Sequence, residues 1–281
     1  MAIKLETELY PPVKTFFTGR GYEVKAEIRG CDLVAYRADQ PEPTIVEMKK
    51  TFTLPLLLQG IDRQKTGAAV WLAVERNRTK RGAHNQRFTE ITALCRRLNL
   101  GFLTVTFYRT KSPAIDVWCE PAGYVPPMSL AGSAIAAESP QPYHTVAGGR
   151  RKAGASKLLK EFNARSGDYN VGGSTKRKLV TAYREKAIQC ALALDCHGPS
   201  SPRQVRDWTH CPTAGSMLRN NPYGWFKRLT KGVYEITPAG KTALLHYADV
   251  TKVWANQFSW AAAHPLNTSD NKPQVELTYN E

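Results

Sequence analysis

The sequence lacks a long hydrophobic run, a secretory leader and paired cysteines, and each absence excludes a class of protein. No apolar stretch approaches the roughly 20 residues that cross a bilayer. The opening segment Met1–Glu6 is not a signal peptide. The six cysteines include no Cys-x-x-Cys pair, which argues against a zinc cluster or a disulfide framework. We therefore expect a cytoplasmic protein with free thiols and no membrane partner.

Acidic residues are also scarce, since 24 Asp and Glu stand against 39 Lys and Arg, a formal net charge of +15. Such a surplus attracts polyanions, and nucleic acid is the commonest polyanion in a cytoplasm. The basic residues concentrate between Arg150 and Lys186. A merely solvated basic surface is therefore the less favoured interpretation, and we expect a nucleic-acid partner.

The first half of the 281-residue chain alternates between helical and strand patterns. Apolar residues from Leu5 to Phe16 recur at helical spacing, and the prolines Pro11 and Pro12 indicate a kink or a helix start there. The patterns that follow predict strands at Glu23–Ile28, Cys31–Arg37 and Pro43–Lys49, a helix at Leu54–Lys65, a strand at Ala69–Glu75, a helix at Phe88–Leu98, and strands at Phe102–Tyr108 and Ile115–Cys119. The predicted order is α-β-β-β-α-β-α-β.

The second half begins with a Pro, Gly, Ala and Ser-rich stretch that is typical of a linker. After it the patterns predict helices at about Leu179–Leu194, Ser201–Trp208 and Thr213–Asn220, then strands at Gly224–Leu229 and Val233–Thr237. Three helices followed by a basic hairpin describe a winged helix. We expect a first domain over residues 1–125, a linker over 126–156, a winged helix over 157–250, and a short aromatic helix with a loose tail over 251–281. A homodimer is compatible with this organisation, although no feature specifies one.

An acid-x-lysine pattern ends the apolar run Thr44–Val46. In a strand, Glu47 and Lys49 project from one face about 7 Å apart, while Val46 and Met48 pack on the other. Asp32 opens the preceding predicted strand directly after the turn at Arg29-Gly30. Two carboxylates and a lysine at one sheet edge suit a divalent cation that acts on a phosphodiester.

With these positions on predicted strands, the first domain resembles the PD-(D/E)xK phosphodiesterase superfamily, whose core is α-β-β-β-α-β. More specifically, the chain looks like a bacterial family of that superfamily catalogued as a domain of unknown function, with a C-terminal winged helix. The segments that carry the likeness are Glu6–Lys14, Gly30–Ala35, Glu47–Lys49, Asn170–Ser174 and Tyr223–Phe226. It covers most of the chain except the linker and the tail after about Asp249. The three-residue motif is of low specificity, so its position on consecutive strands gives it weight.

The resemblance implies an α/β fold, with a restriction-endonuclease-like αβββαβ core, a mixed sheet and a C-terminal winged helix. It also implies that Asp32, Glu47 and the peptide carbonyl of Met48 hold Mg²⁺ or Mn²⁺, hard cations that prefer oxygen ligands. Lys49 would orient the attacking water or stabilise charge on the phosphorus. The implied function is a metal-dependent nuclease with nucleic acid as substrate, DNA being favoured.

Two further site residues are expected on the predicted helices. Glu6 is favoured over Glu8 as the acid of the first helix, because Glu6 lies near the centre of the apolar stripe, where a carboxylate needs a partner. Glu8 remains open as the alternative. Gln59 matches a glutamine that lines such sites in the superfamily. Asp62 and Arg63 share its helix face, and local pairing is their simpler role.

Each assignment has a simpler rival. Glu47 and Lys49 could form a surface ion pair, Asp32 could close a turn, and Gln59 could be an ordinary polar position. The candidate nucleic-acid contacts, equally explained as solvated charges, are Arg63, Arg76, Arg78, Lys80, Arg81, Arg219, Lys227, Arg228 and Lys231. The alternative function is a catalytically silent nucleic-acid-binding or regulatory protein that uses a nuclease fold and a winged helix.

Overall fold

The structure is a computed structural model that describes residues 2–77, 87–122, 148–173 and 178–266, without the side chains of residues 148–152. It divides into two compact units, Met1–Thr181 and Ala182–Glu281. Most of the predicted linker lies outside the described residues, as do Arg78, Lys80, Arg81 and the end of the predicted tail. No helix in the described ranges is long and apolar enough to cross a bilayer.

The first unit contains the predicted α-β-β-β-α-β-α-β order, followed by the last strand predicted at Ile115–Cys119. A 3-10 helix at Glu6–Leu9 leads directly into α1, and Pro11 and Pro12 lie in the first turn of α1, where a missing N–H costs little. The elements are α1 Tyr10–Thr18, β1 Glu23–Ile28, β2 Cys31–Tyr36, β3 Thr44–Lys49, α2 Leu54–Gln64, β4 Ala69–Glu75, α3 Phe88–Arg97, β5 Gly101–Thr106, β6 Ala114–Cys119 and α4 Gly148–Ala164.

The six strands form one mixed sheet in the order β1-β2-β3-β4-β5-β6. Strands β1, β2 and β3 pair antiparallel, β3, β4 and β5 pair parallel, and β6 returns antiparallel to β5. The parallel pairs need crossovers, which α2 and α3 supply. The expectation of a mixed sheet is therefore confirmed.

Alternating residues of the central strands enter two separate cores on opposite faces of the sheet. On β3, Ile45 belongs to the core that also contains residues of α2, α3 and α4. Val46 and Met48 belong to the other core, which contains residues of α1. This period of two places Glu47 and Lys49 on the same side as Ile45, towards α2.

The helix α4 begins inside the predicted linker and belongs to the first unit. Its Leu158 and Phe162 are four residues apart and are buried in the core on the α2 face of the sheet. At its end, the ammonium of Lys25 donates to the carbonyl oxygens of Phe162 at 2.8 Å and Arg165 at 2.9 Å. The described residues from 157 to 173, expected in the second domain, thus belong to the first unit, and Leu158 and Phe162 complete its core.

The second unit contains the predicted three helices and hairpin, followed by two more helices. The elements are α5 Ala182–His197, α6 Pro202–Thr209, α7 Ala214–Asn220, β7 Phe226–Thr230, β8 Val233–Ile236, α8 Pro238–His246, α9 Ala248–Gln257 and a 3-10 helix at Ser259–Ala261. Helix α5 is the centre of this unit, because its residues from Ala187 to Leu194 are all buried. All six cysteines of the chain are free, as predicted.

Gly101, at the start of β5, tests the packing of the sheet. A Cβ at this position would lie 2.4 Å from Trp71, so we expect Gly101→Ala to lower the free energy of unfolding by about 1–3 kcal/mol through overpacking. Urea denaturation measures the change. Gly215→Ala is the control, because its nearest neighbour would be Pro202 at an ordinary 3.6 Å. Equal stability of the two variants would contradict this packing.

Candidate active site

The two carboxylates of the predicted motif meet where β2 begins and β3 ends. The antiparallel register pairs Leu33 with Val46, so the next step along both strands brings Asp32 beside Glu47. The Asp32 carboxylate accepts a hydrogen bond from the backbone N–H of Met48 at 2.8 Å. A side chain of β2 is thus fixed to the backbone of β3 next to the acid-x-lysine motif.

Burial makes this carboxylate pair electrostatically costly. The Glu47 side chain is only 2 % exposed, and burial, followed by the negative charge of Asp32, raises the pKa of Glu47 to about 7. Burial also raises the pKa of Asp32, and the charge of Glu6 raises it further, while the hydrogen bond from Met48 opposes the shift. Because the charge of Asp32 disfavours the ionisation of Glu47, a cation beside the two carboxylates would stabilise the site.

Arg63 supplies the positive charge closest to Glu47. Its Nε donates to the Glu47 carboxylate at 2.6 Å, and its Nη2 donates to the carbonyl oxygen of Gly30. Gly30 has a positive φ of 77° in the turn before β2, so the arginine joins α2, the turn and β3. The prediction that Asp62 and Arg63 pair within their own helix region is confirmed for Asp62, whose carboxylate lies 2.7 Å from the Lys65 ammonium. It is wrong for Arg63, which pairs with Glu47 on β3.

The role of Arg63 beside Glu47 was missed at the sequence level. The available signal was its position one turn after Gln59 on the helix face that follows the motif. In the structure Gln59 is exposed on α2, whereas Arg63 contacts the buried Glu47. The sequence alone does not show which of these two residues of α2 faces β3.

Glu6 and Lys49 lie at the edge of the same site. The Lys49 ammonium is 3.6 Å from the Glu6 carboxylate, and both side chains are about one-third exposed, at 39 % and 33 %. Glu6 also accepts a long 3.5 Å hydrogen bond from the backbone N–H of Lys50. Glu8 turns the other way and caps its own helix, because it accepts from the backbone N–H groups of Lys4 and Leu5 at 2.7 and 2.8 Å.

Most of the remaining candidate basic residues lie on other elements. Arg76, after β4, bonds Asp116 at 3.0 Å and lies over the ring of Trp118. Within the second unit, Arg219 lies on α7, while Lys227, Arg228 and Lys231 lie on the β7–β8 hairpin, and all four are exposed. Lys227 pairs with Glu235 across the hairpin at 3.4 Å.

Comparison with known proteins identifies the family. The model of the family described as "Putative PD-(D/E)XK phosphodiesterase (DUF2161)" matches residues 103–243, which is half of the chain. The chain belongs to this family. No curated protein and no solved structure matched it. The match begins within β5 of this DUF2161 member, so Glu6, Asp32, Glu47 and Lys49 precede the matched segment.

The donor set of this DUF2161 member fits a divalent metal ion that keeps most of its waters. Enzymes of the PD-(D/E)XK type generally use divalent metals. Among the described residues no three His, Cys, Asp or Glu side chains are grouped to hold a metal. Asp32 and Glu47 are two hard carboxylates, and Mg²⁺ is commonly held by one or two carboxylates together with water. The negative charge of Asp32 raises the pKa of Glu47, and a cation between the two carboxylates would relieve this repulsion.

Arg63→Gln tests the counter-ion role of the arginine. Removing the guanidinium leaves Glu47 buried without its partner, and we expect a loss of about 3 kcal/mol in the free energy of unfolding of metal-free protein. Asp62→Asn, which breaks only the exposed pair with Lys65, should cost little. The double variant Arg63→Gln/Glu47→Gln should lose less than Arg63→Gln alone. A loss no larger than that of Asp62→Asn would contradict the role.

The raised pKa of Glu47 predicts a pH dependence of stability. Between its ordinary value near 4.5 and its folded value of about 7, the folded protein holds one more proton than the unfolded chain. Stability of metal-free protein should therefore fall as pH rises through this window. The difference in free energy of unfolding between wild type and Glu47→Gln, measured in urea from pH 5 to pH 8, isolates the effect. A pH-independent difference would contradict it.

Proposed function

We propose that this protein is a Mg²⁺- or Mn²⁺-dependent nuclease that hydrolyses phosphodiester bonds of nucleic acid, with DNA as the favoured substrate. The observation that carries the proposal is that the partly buried Asp32 lies beside the buried Glu47, with Lys49 on the same face of β3 as Glu47. Membership of a phosphodiesterase family and the net charge of +15 support the substrate class.

Asp32, Glu47 and the carbonyl of Met48 would hold the ion. When bound, such an ion acts as a Lewis acid and lowers the pKa of a coordinated water. The backbone N–H of Met48 keeps the Asp32 carboxylate in a fixed orientation, which reduces reorganisation on binding.

Lys49 would act on the substrate side of the site. Its side chain is 39 % exposed, so its ammonium can reach a phosphate oxygen or an attacking water that the buried Glu47 cannot reach directly. Glu6 holds this ammonium from the 3-10 helix at 3.6 Å. We infer that Lys49 orients the water and offsets the negative charge that develops on the phosphorus, and that Glu6 positions Lys49. Gln59 is retained as a candidate site residue on α2.

The second unit would supply affinity for nucleic acid as a winged helix. Its hairpin presents Lys227, Arg228 and Lys231, and Arg219 lies on the preceding helix α7. Contacts from these side chains to phosphates would be largely independent of sequence and would weaken steeply with salt. Arg63, Arg76 and the loop with Arg78, Lys80 and Arg81 are further candidates in the first unit. Homodimerisation is compatible with this function and is not required by it.

The bond between Arg63 and Glu47 favours a second candidate, a catalytically silent nucleic-acid-binding or regulatory protein. Arg63 already provides Glu47 with a cationic partner, so the site could persist without a metal. Cells that carry Asp32→Ala together with Glu47→Ala distinguish the two functions. An unimpaired cellular phenotype would support the silent protein, and loss of function would support the nuclease.

Purified protein should cleave DNA in the presence of Mg²⁺ or Mn²⁺. We expect Glu47→Ala and Lys49→Ala each to lower kcat by at least about 100-fold, because the first removes a metal ligand and the second removes the charge that acts on the reacting phosphate. Gel-based cleavage of labelled duplex, single-stranded and branched DNA, with matched RNA, measures activity and substrate class.

Lys65→Ala is the matched lysine control for this experiment. Lys65 is exposed on the chain just after α2 and pairs only with Asp62 among its described ion pairs, so its loss should leave cleavage unchanged. Cleavage by Glu47→Ala at the wild-type rate would contradict the nuclease assignment, as would no cleavage by wild type on every substrate with either metal.

A further inference from the structure

A segment far along the chain packs against the candidate site. Asp168, which follows α4, is 11 % exposed and receives three donors from the N-terminal part of the first unit. The hydroxyl of Tyr10 and the ammonium of Lys14 donate to one carboxylate oxygen, and the backbone N–H of Ala26 donates to the other at 2.8 Å. Burial and Asp168 raise the pKa of Tyr10, so its hydroxyl remains a donor.

Both sides of this segment are fixed by further hydrogen bonds. Arg165 donates from its two terminal nitrogens to the carbonyl oxygens of Ala26 at 2.9 Å and Glu27 at 2.8 Å. The side-chain amide of Asn170 forms two hydrogen bonds with the backbone of Val180. Its oxygen accepts from the Val180 N–H at 2.8 Å, and its nitrogen donates to the Val180 carbonyl oxygen at 3.0 Å. Burying these charged and polar groups has a cost that only a complete set of partners offsets. The segment is therefore held in one place.

The fixed segment brings two glycines to the residues of the site. A Cβ at Gly172 would lie 2.5 Å from the main-chain oxygen of Asp32 and 2.6 Å from the end of the Met48 side chain. Gly173 has a φ of 77°, and a Cβ there would lie 3.6 Å from the Cβ of Glu6. Only a residue without a side chain fits at Gly172, so the backbone of this segment contacts β2 and lies against the tip of Met48.

We propose that the segment Asp168–Gly173 braces the strand ends that carry the active site, and that Asp168 and Gly172 are positioning residues for Asp32 and Met48. Gly172 sets how far the start of β2 and the end of β3 can shift, and Asp168 anchors the segment that carries Gly172. This inference rests on the proposed function. It also links the matched family segment to the site, because residues 168–173 fall within residues 103–243 while Asp32 and Met48 precede them.

Gly172→Ala tests the proposal in the full-length protein. The added methyl group must displace the backbone at Asp32, and we expect Mn²⁺ affinity and kcat to fall by about 10- to 100-fold, the range seen when groups that orient metal ligands are altered. KM should change little, because the segment positions ligands rather than contacting substrate. Isothermal titration calorimetry with Mn²⁺ and steady-state cleavage measure the two effects.

Gly154→Ala is the matched control. Its Cβ would lie 2.8 Å from the backbone Cα of Thr66, a comparable overlap in the same unit that involves none of the site residues. We expect this variant to keep wild-type Mn²⁺ affinity and kcat at temperatures below the unfolding transitions of both variants. Asp168→Asn is the second variant for the case in which Gly172→Ala does not fold, because it keeps the size of the side chain and removes its charge. It should lower Mn²⁺ affinity and kcat in the same direction.

The possible outcomes separate this inference from the proposed function. Wild-type protein that binds no Mn²⁺ and cleaves nothing would overturn the function itself. Wild-type binding and cleavage, with Gly172→Ala or Asp168→Asn indistinguishable from Gly154→Ala, would overturn the positioning role alone. Selective loss of Mn²⁺ affinity and kcat in Gly172→Ala and Asp168→Asn would support it.

Discussion

Two neighbouring carboxylates, one of them buried, are the constraint on which this site depends. Asp32 and Glu47 are brought together by the antiparallel register of β2 and β3, where burial raises the pKa of both and the charge of Asp32 raises that of Glu47 further. Left alone, such a pair would destabilise the fold. The surrounding residues offset this cost: Arg63 bonds Glu47, and the Met48 N–H bonds Asp32. A divalent cation would offset it more completely, which gives metal binding a physical reason.

The same constraint explains why distant parts of the first unit meet at this corner. The 3-10 helix brings Glu6 to Lys49, α2 brings Arg63 to Glu47, and the segment after α4 brings Gly172 to Asp32 and Met48. A buried polar network is stable only when its members are satisfied, so each of these elements has a restricted position. In the proposed site the strands would supply the metal ligands, and the flanking segments would fix their geometry.

Much of the core was predictable because strands and helices have different periods. The alternation around Glu47 and Lys49 predicted their shared face, and the prolines after Tyr10 predicted where α1 begins. The helix α4 was not predicted, because its first turns are rich in Gly and Arg and resemble a linker. Local patterns also could not show that Arg63 reaches Glu47 or that Gly172 lies on Asp32, since both contacts join residues far apart in the chain.

The most direct test is the anomalous scattering of Mn²⁺ in crystals grown with the ion. We expect one strong anomalous peak between the carboxylates of Asp32 and Glu47, within coordination distance of the Met48 carbonyl oxygen. Lys49 should lie beside the peak, and Gly172 should remain packed on Asp32. Full occupancy of Mn²⁺ elsewhere on the protein, with no peak at Asp32 and Glu47, would contradict metal binding at this site.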